Sequence, residues 1–309
     1  MNQVIFLMGP TASGKTELVV RLAQELPIDI ISVDSVMVYK GLDIGTAKPD
    51  AAMQALAPHA LIDTCEPSES YSASRFCQDA QNEIEKSHNK GRIPILVGGT
   101  FLYFKALQHG ISPLPSADEV IRKQLCRDGD QLGWQAMHRR LQEVDPLSAT
   151  RIHPNDPQRI QRALEVYLIS GEPMSTLIGK YPLQKLPYPV RKIVVATHDR
   201  ANLRAKIAKR FIEMLNQGLV AEVEALYDRK DLHAELPAIR AVGYRQVWQY
   251  LEGKIDKNTM QERAITATRQ FAKRQFTWLR SESDGDWLEA TSTTIYHEVL
   301  KKLRSDTIL

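Results

Sequence analysis

The sequence predicts an α/β fold, a parallel β-sheet flanked by helices and interrupted by an all-helical insertion, and three observations carry that prediction. The first is the run Gly9-Pro10-Thr11-Ala12-Ser13-Gly14-Lys15-Thr16, which directly follows the apolar Val4 to Met8 and directly precedes a helical pattern from Glu17. The second is the alternation of short apolar runs with helix-period segments over the first third of the chain. The third is a strand-poor stretch bracketed by proline clusters, where that alternation stops.

The first run has the spacing Gly-x-x-x-x-Gly-Lys-Thr of a phosphate-binding loop. Gly9 and Gly14 permit a tight turn through Pro10-Thr11-Ala12-Ser13 whose backbone N–H groups point inward as a cradle for phosphate oxygens. Lys15 reaches the terminal phosphates, the Thr16 hydroxyl can ligate Mg²⁺, and the positive end of the following helix favours the anion. Strand before and helix after make the chain P-loop NTPase-like. Which molecule owns the phosphates stays open at this point.

Taken in order, Val4 to Met8, Asp29 to Val33, Ala60 to Ile62 and Ile93 to Val97 read as buried strands, with helices at Lys15 to Glu25 and Ser74 to Asn89. Ligands of such sheets bind beyond the carboxyl ends of the strands. Three of those ends carry polar residues, Gly9-Pro10-Thr11, Asp34-Ser35 and Gly98-Gly99-Thr100, and are expected to converge. Prolines at 113 and 115 and again from 182 to 189 then bracket helices at Glu119 to Arg127, Trp134 to Val144 and Gln158 to Ile169. Asp156 is placed to cap the last of these, with Pro157 at its first position. The expected organisation is a catalytic core of residues 1–115 and 191–309, with 116–190 as a helical insertion. Ile193 to Ala196 returns to the sheet, and helices follow at Arg200 to Asn216, Leu219 to Asp228, Tyr244 to Leu251 and about Asn258 to Arg280, with a short one at the end.

Composition narrows the function classes. With 43% hydrophobic and 25% charged residues among 309, the chain has the profile of a globular protein long enough for two domains. A net charge of +3 permits nucleic acid without demanding it. Three scattered cysteines and unpaired histidines argue against a disulfide framework or a zinc site. No stretch approaches the roughly 20 apolar residues that span a bilayer, and the start lacks signal-peptide character, so a cytoplasmic location without membrane contact is expected.

Asp34, at a strand end beside the phosphate loop, has three available jobs: Mg²⁺ ligation, general base, or capping. Thr100 follows two glycines and suits either a second phosphate contact or an ordinary helix cap. Gln158-Arg159-Ile160-Gln161-Arg162 lie on a helix whose other face is apolar, where amide and guanidinium groups suit RNA but also plain solvation. Near the end stand Arg240-Ala241-Val242-Gly243-Tyr244-Arg245 and Lys273-Arg274-Gln275-Phe276-Thr277-Trp278-Leu279-Arg280. Helical spacing puts Arg269, Lys273, Phe276 and Arg280 on one face, cations with an aromatic, as a polynucleotide surface requires. Phe271 and Trp278 fall to one side, where core packing is the alternative.

The phosphate loop, Ile31-Ser32-Val33-Asp34-Ser35, Gly45-Thr46-Ala47-Lys48, Gly98-Gly99-Thr100, Pro154 to Arg159, Val242 to Arg245 and Lys273-Arg274-Gln275 together resemble the bacterial tRNA dimethylallyltransferases, the IPP transferase family, over nearly the whole chain and in the same order. The resemblance implies transfer of a dimethylallyl group from dimethylallyl diphosphate to N6 of the adenosine at position 37 of tRNA, 3′ of the anticodon. It implies that the loop holds the donor's diphosphate with Mg²⁺, that Asp34 acts at the adenine amine, and that Thr100 lies by the diphosphate. It also implies that the helical insertion clasps the anticodon stem-loop. On that reading Gln158 to Arg162 and the two later clusters contact RNA, Arg122 joins them, and Ser35, Val36 and Met37 lie against the extruded base. A monomer is expected. The alternatives are an ATP-dependent small-molecule kinase and an RNA-binding P-loop NTPase without prenyl transfer.

Overall fold

The computed structural model describes residues 2–181 and 183–305. In chain order the elements are β1 (Val4–Met8), α1 (Lys15–Glu25), β2 (Ile28–Val33), α2 (Ala51–Leu56), β3 (His59–Ala60), α3 (Ala73–Asn89), β4 (Ile93–Gly98) and α4 (Phe101–His109). There follow α5 (Glu119–Leu132), α6 (Trp134–Val144), α7 (Pro146–Arg151), α8 (Pro157–Ser170), α9 (Met174–Lys180), β5 (Val190–Ala196) and α10 (Arg200–Asn216). The chain ends with α11 (Leu219–Tyr227), α12 (Tyr244–Leu251), α13 (Lys257–Leu279), β6 (Asp286–Glu289) and α14 (Ile295–Ser305).

The six strands form one sheet in the order β3-β2-β4-β1-β5-β6, every pair parallel. Parallel sheets need cover on both faces, which is why the strands read as unbroken apolar runs. Alternate residues of β1 divide accordingly: Val4, Phe6 and Met8 join Phe76 and Phe104 on one face. Ile5 and Leu7 join Leu18 and Leu22 of α1 and Val299 of α14 on the other. β4 is central to the site, because Gly98 stands opposite Met8 of β1 on one side and Val33 of β2 on the other. All three strands therefore end at one level. A Cβ at Gly98 would lie 2.0 Å from the Val33 carbonyl oxygen, so that level is kept only with glycine.

β6 has no counterpart in the sequence reading. Its four residues, Asp-Trp-Leu-Glu, bury only Leu288 among polar neighbours, and it forms a strand by pairing with the free edge of β5. Such short edge strands carry too little pattern to be recognised alone.

The described chain divides into two compact units. One runs to Gln108 and resumes at Leu186, and the other is His109–Lys185. Pro182, in the second expected hinge, lies outside the described residues. The Leu186 N–H donates to the Gln108 carbonyl, closing the first unit where the second leaves it. The legs of the helical unit meet at Gly110, whose φ of +85° and closeness to the Gln184 backbone exclude a side chain.

The helical unit packs α5, α6, α7 and α8 around Leu125, Met137, Leu141, Ile160 and Leu164. Asp156 caps α8 by accepting from the Arg159 N–H at 3.1 Å, with Pro157 opening the helix. Glu165, also on α8, is fully buried. Its carboxylate accepts from the Asp118 N–H at 2.9 Å, Arg122 Nε at 2.8 Å and Arg162 Nη1 at 2.8 Å. Arg162 Nη2 donates to the Pro115 carbonyl at 2.7 Å, so one acid ties α5, α8 and the entering leg together. Replacing Glu165 by alanine takes the carboxylate from both guanidiniums and leaves Arg162 with only the Pro115 carbonyl. Because each keeps part of its surface in water, the expected cost is about 3 kcal/mol, the low end for a broken buried pair. Amide exchange across α5 and α8 should accelerate by about a hundredfold, and unchanged protection there would show that the carboxylate is not what holds them.

Candidate active site

The phosphate loop leaves β1 at Gly9, whose position tolerates no Cβ because the Val195 carbonyl oxygen would lie 2.2 Å away. Ala12 sits in the left-handed region at φ 63°, a conformation that costs energy for a residue with a Cβ. Packing against the cluster of Leu203 and Ile207 of α10 and Ala272 of α13 holds it there. Gly14, at φ 81°, opens α1 with no side-chain cap, which leaves the first-turn N–H groups of that helix for a ligand.

Lys15 folds back over this loop. Its Nζ donates to the Pro10 carbonyl at 2.7 Å and to Ser13 Oγ at 3.1 Å. Burial lowers its pKa to about 7, the Arg210 guanidinium pushes it the same way, and Asp34 opposes them. Arg210, on α10, donates from Nη2 to Thr11 Oγ1 at 2.5 Å. Burial lowers its own pKa too, with Asp34 again opposing. Two cations thus share one loop with a single carboxylate nearby, an arrangement short of negative charge.

Arg210 was not singled out from the sequence, although a signal was present. It falls on the same helical face as the buried Leu203, Ile207 and Met214, and a cation on the apolar stripe of an amphipathic helix is a group held inside for a purpose.

At the end of β2, Asp34 Oδ1 accepts from the N–H groups of Val36 at 2.8 Å and Met37 at 3.1 Å. These bonds orient the carboxylate and stiffen the next turn, while among the described residues no hydrogen bond engages Oδ2. Of the three jobs expected for Asp34, the geometry shows the capping one, made by Oδ1. Thr100, at the end of β4, accepts the Ser35 N–H on Oγ1 at 3.2 Å, and its own N–H donates to the Val33 carbonyl. The ends of β1, β2 and β4 converge as expected.

Behind Asp34 the Gly45-Thr46-Ala47-Lys48 loop is braced from within. Lys48 Nζ bonds Asp43 and Asp63, each at 2.5 Å, and the Tyr39 carbonyl at 3.0 Å. Glu222 accepts from the N–H groups of Asp43, Ile44 and Gly45 and from the Tyr244 hydroxyl at 2.5 Å. The Asp63 N–H donates to the Met37 carbonyl, which joins this brace to the turn after Asp34.

The residues expected at RNA divide by burial. Gln158, Arg159, Arg240, Arg245, Lys273, Arg274, Thr277 and Arg280 are exposed, and Arg122, Gln161 and Arg162 present part of their surface. Ile160, Tyr244 and Leu279 have no exposed surface, and Gly243 is buried, so these four support the surface rather than form it. Ala241 and Val242 are half-buried. On α13 the expected face is rotated: Phe276 turns inward with Ala272, Gln275 and Leu279, and Trp278 is 38% exposed with Lys105 Nζ 5.7 Å from its ring centre. Ser35, Val36 and Met37 are half-buried on the rim beside Asp34.

For a divalent cation the donor set is sparse. Thr16 offers a half-buried hydroxyl that bonds no other described residue, and no group of three His, Cys, Asp or Glu side chains is placed to hold a metal among the described residues. That fits Mg²⁺, which keeps water and takes ligand phosphate oxygens with one or two protein groups.

Sheet, loop and converged strand ends define a P-loop NTPase-like protein, with a loop of the phosphate-binding kind. A model of the IPP transferase family matches residues 37–282. The chain is similar to the full-length tRNA isopentenylpyrophosphate transferase of Bacillus halodurans, at 34% identity over 99% of this chain and 98% of that one, TM-score 0.71. It is also similar to the tRNA delta(2)-isopentenylpyrophosphate transferase of Staphylococcus epidermidis, at 31% identity over 97% and 98%, TM-score 0.69. A eukaryotic dimethylallyltransferase acting on tRNA matches at 27% identity over 99% of this chain and 79% of its own, TM-score 0.82. This chain belongs to the IPP transferase family.

The lowered pKa of Lys15 gives the loop a pH signature. Below pH 7 the amine is already charged when a diphosphate monoester binds, whereas above it the ligand must draw in a proton. Affinity should fall by up to about tenfold per pH unit above 7, with uptake approaching one proton per ligand. Calorimetry in buffers of different ionisation enthalpy measures that uptake, and equal uptake by wild type and Lys15→Met would remove Lys15 as its source.

Proposed function

We propose that this enzyme binds dimethylallyl diphosphate in the loop Gly9–Thr16 and transfers its dimethylallyl group to N6 of the adenosine at position 37 of tRNA. Membership of the IPP transferase family makes tRNA prenylation its activity, and neither the kinase nor the switch reading is favoured. The observation that carries the finer reading is the convergence at the strand ends: Lys15 and Arg210 on the loop with Asp34 beside them, one oxygen anchored and the other open.

The chemistry makes opposite demands on the two sides of the site. Breaking the allylic C–O bond leaves negative charge on diphosphate and positive charge on the carbon chain. The loop N–H groups, Lys15 and Arg210 neutralise the leaving group in a site partly closed to water, where such contacts are worth most. Mg²⁺, held by Thr16 and the diphosphate oxygens, would supply further charge neutralisation. The nucleophile needs help of another kind. The N6 lone pair of adenine is delocalised into the ring, and Asp34 Oδ2 accepts the amine proton as the new C–N bond forms. Thr100 and Ser35 hold the neighbouring strand ends for this pair of events.

Adenosine 37 must leave the anticodon stack to reach Asp34, at roughly a few kcal/mol. The exposed cations Arg159, Arg240, Arg245, Lys273, Arg274 and Arg280 offset that cost by holding the RNA backbone. In the helical unit Arg122 and Arg162, clamped by Glu165, and Gln158 and Gln161 meet the anticodon stem-loop. The half-buried Val36 and Met37 pack against the extruded base.

Mass spectrometry of tRNA after incubation with labelled dimethylallyl diphosphate, with ATP as comparison donor, tests the transfer directly. Asp34→Asn should lower single-turnover transfer by at least about a hundredfold while tRNA binding survives, and full activity would remove Asp34 as base. Affinity for tRNA should fall steeply and linearly on a log–log salt plot. A flat response would rule out extensive phosphate contact.

A further inference from the structure

Gln275 belongs to the basic segment expected at RNA, yet it is 4% exposed and faces the opposite way. Its amide is used at both ends. Oε1 accepts the Thr11 N–H at 2.9 Å, and Nε2 donates to the Gly99 carbonyl at 2.9 Å. One side chain of α13 thereby links the loop after β1 to the turn after β4.

The bond to Thr11 matters because of the peptide it holds. The Thr11 N–H and the Pro10 carbonyl belong to one rigid planar unit. That carbonyl accepts Lys15 Nζ at 2.7 Å, at the opposite edge of the unit from the N–H that Gln275 holds, since the two point apart in a trans peptide. Rotation of this peptide would move the Lys15 acceptor, and Gln275 blocks the rotation. Arg210 holds the same residue through Thr11 Oγ1, and the next residue is Ala12 in its left-handed conformation. The Thr11 N–H is spent on Gln275, so the phosphate-binding donors of the loop begin after it.

Gly99 records the same constraint from the other side. A Cβ there would stand 2.3 Å from Gln275 Nε2, so the second glycine of Gly98-Gly99 makes room for the amide. Only a side chain that donates and accepts together satisfies both partners in a buried place, and of the side chains long enough to span them glutamine does so without a charge.

We propose that Gln275 is a positioning residue for the transfer, fixing the Pro10–Thr11 peptide and through it Lys15 for the donor's diphosphate, rather than a residue that touches tRNA. The inference rests on the reading of the loop as the diphosphate site.

The test is Gln275→Met beside Lys15→Met in the full-length enzyme, with inorganic diphosphate as calorimetric probe and steady-state kinetics in both substrates. Gln275→Met should raise the donor KM and weaken diphosphate by about tenfold, the loss expected when two buried hydrogen bonds no longer orient the loop. The KM for tRNA should stay within about twofold, as no RNA contact is removed. A normal diphosphate affinity in Gln275→Met with a weakened Lys15→Met would overturn the positioning role alone. Normal affinity in both would overturn the diphosphate reading and the inference with it, and equal rises in the two KM values would assign Gln275 to general stability. Should the methionine variant not fold, Gln275→Glu serves. It keeps the acceptor for Thr11 and regains a donor for Gly99 only when protonated, so its deficit relative to wild type should shrink from pH 8 to pH 5.5. A deficit independent of pH would overturn the proposal.

Discussion

The active site depends on one register. Gly98 of β4 pairs with Met8 on one side and Val33 on the other, so three parallel strands stop together and release their chains at one height. The phosphate loop, Asp34 and the Gly99-Thr100 turn are near one another for that reason, before any side chain is considered. A shift by one residue would turn every inward side chain of β4 to the wrong face, so the two apolar layers hold the register firmly. Glycine at 98 is its local condition, since the Val33 carbonyl lies where a Cβ would be.

On that platform stand charges that suit the anion released in the proposed transfer. Lys15 and Arg210 both bond the same turn of loop, half-buried, and each has its pKa lowered by burial with Asp34 pulling the other way. Packing holds them close despite their repulsion: Arg210 is carried on the apolar face of α10, and Lys15 is tied to the Pro10 carbonyl. On the proposed function a diphosphate would relieve this crowding, most fully once the C–O bond has broken and its charge is greatest.

The helical elements act as braces as well as surfaces. Glu222 and Tyr244 pin the Gly45 loop, Gln275 pins the phosphate loop, and within the helical unit Glu165 pins Arg122 and Arg162. In each case a buried or half-buried polar group bonds two or more partners, and partners supplied in this way let such a group add rigidity rather than cost. Gly45, Tyr244 and Gln275 come from the short motifs by which the sequence resembles the family.

Much of this was legible in the amino-acid sequence. The phosphate loop, Asp34 and Gly98-Gly99-Thr100 stand at strand ends whose apolar runs are unmistakable, and the capping signal at Asp156-Pro157 starts α8 where it should. Local pattern determines these features, because strand, turn and cap each draw on residues adjacent in the chain. Tertiary structure decided the rest. β6 exists through its pairing with β5, and Arg210 reaches Thr11 from far along the chain. The helical period grouped Phe276 with the cations of α13, but packing against Leu203, Ile207 and Ala272 half-buries it, while Trp278 stays at the surface. Gln275 lies between Lys273-Arg274 and the rest of a basic segment, and its surroundings in sequence say RNA. Its side chain instead faces Thr11 and Gly99, because which face of a helix is buried depends on what packs against it, and that partner is not written in the helix itself.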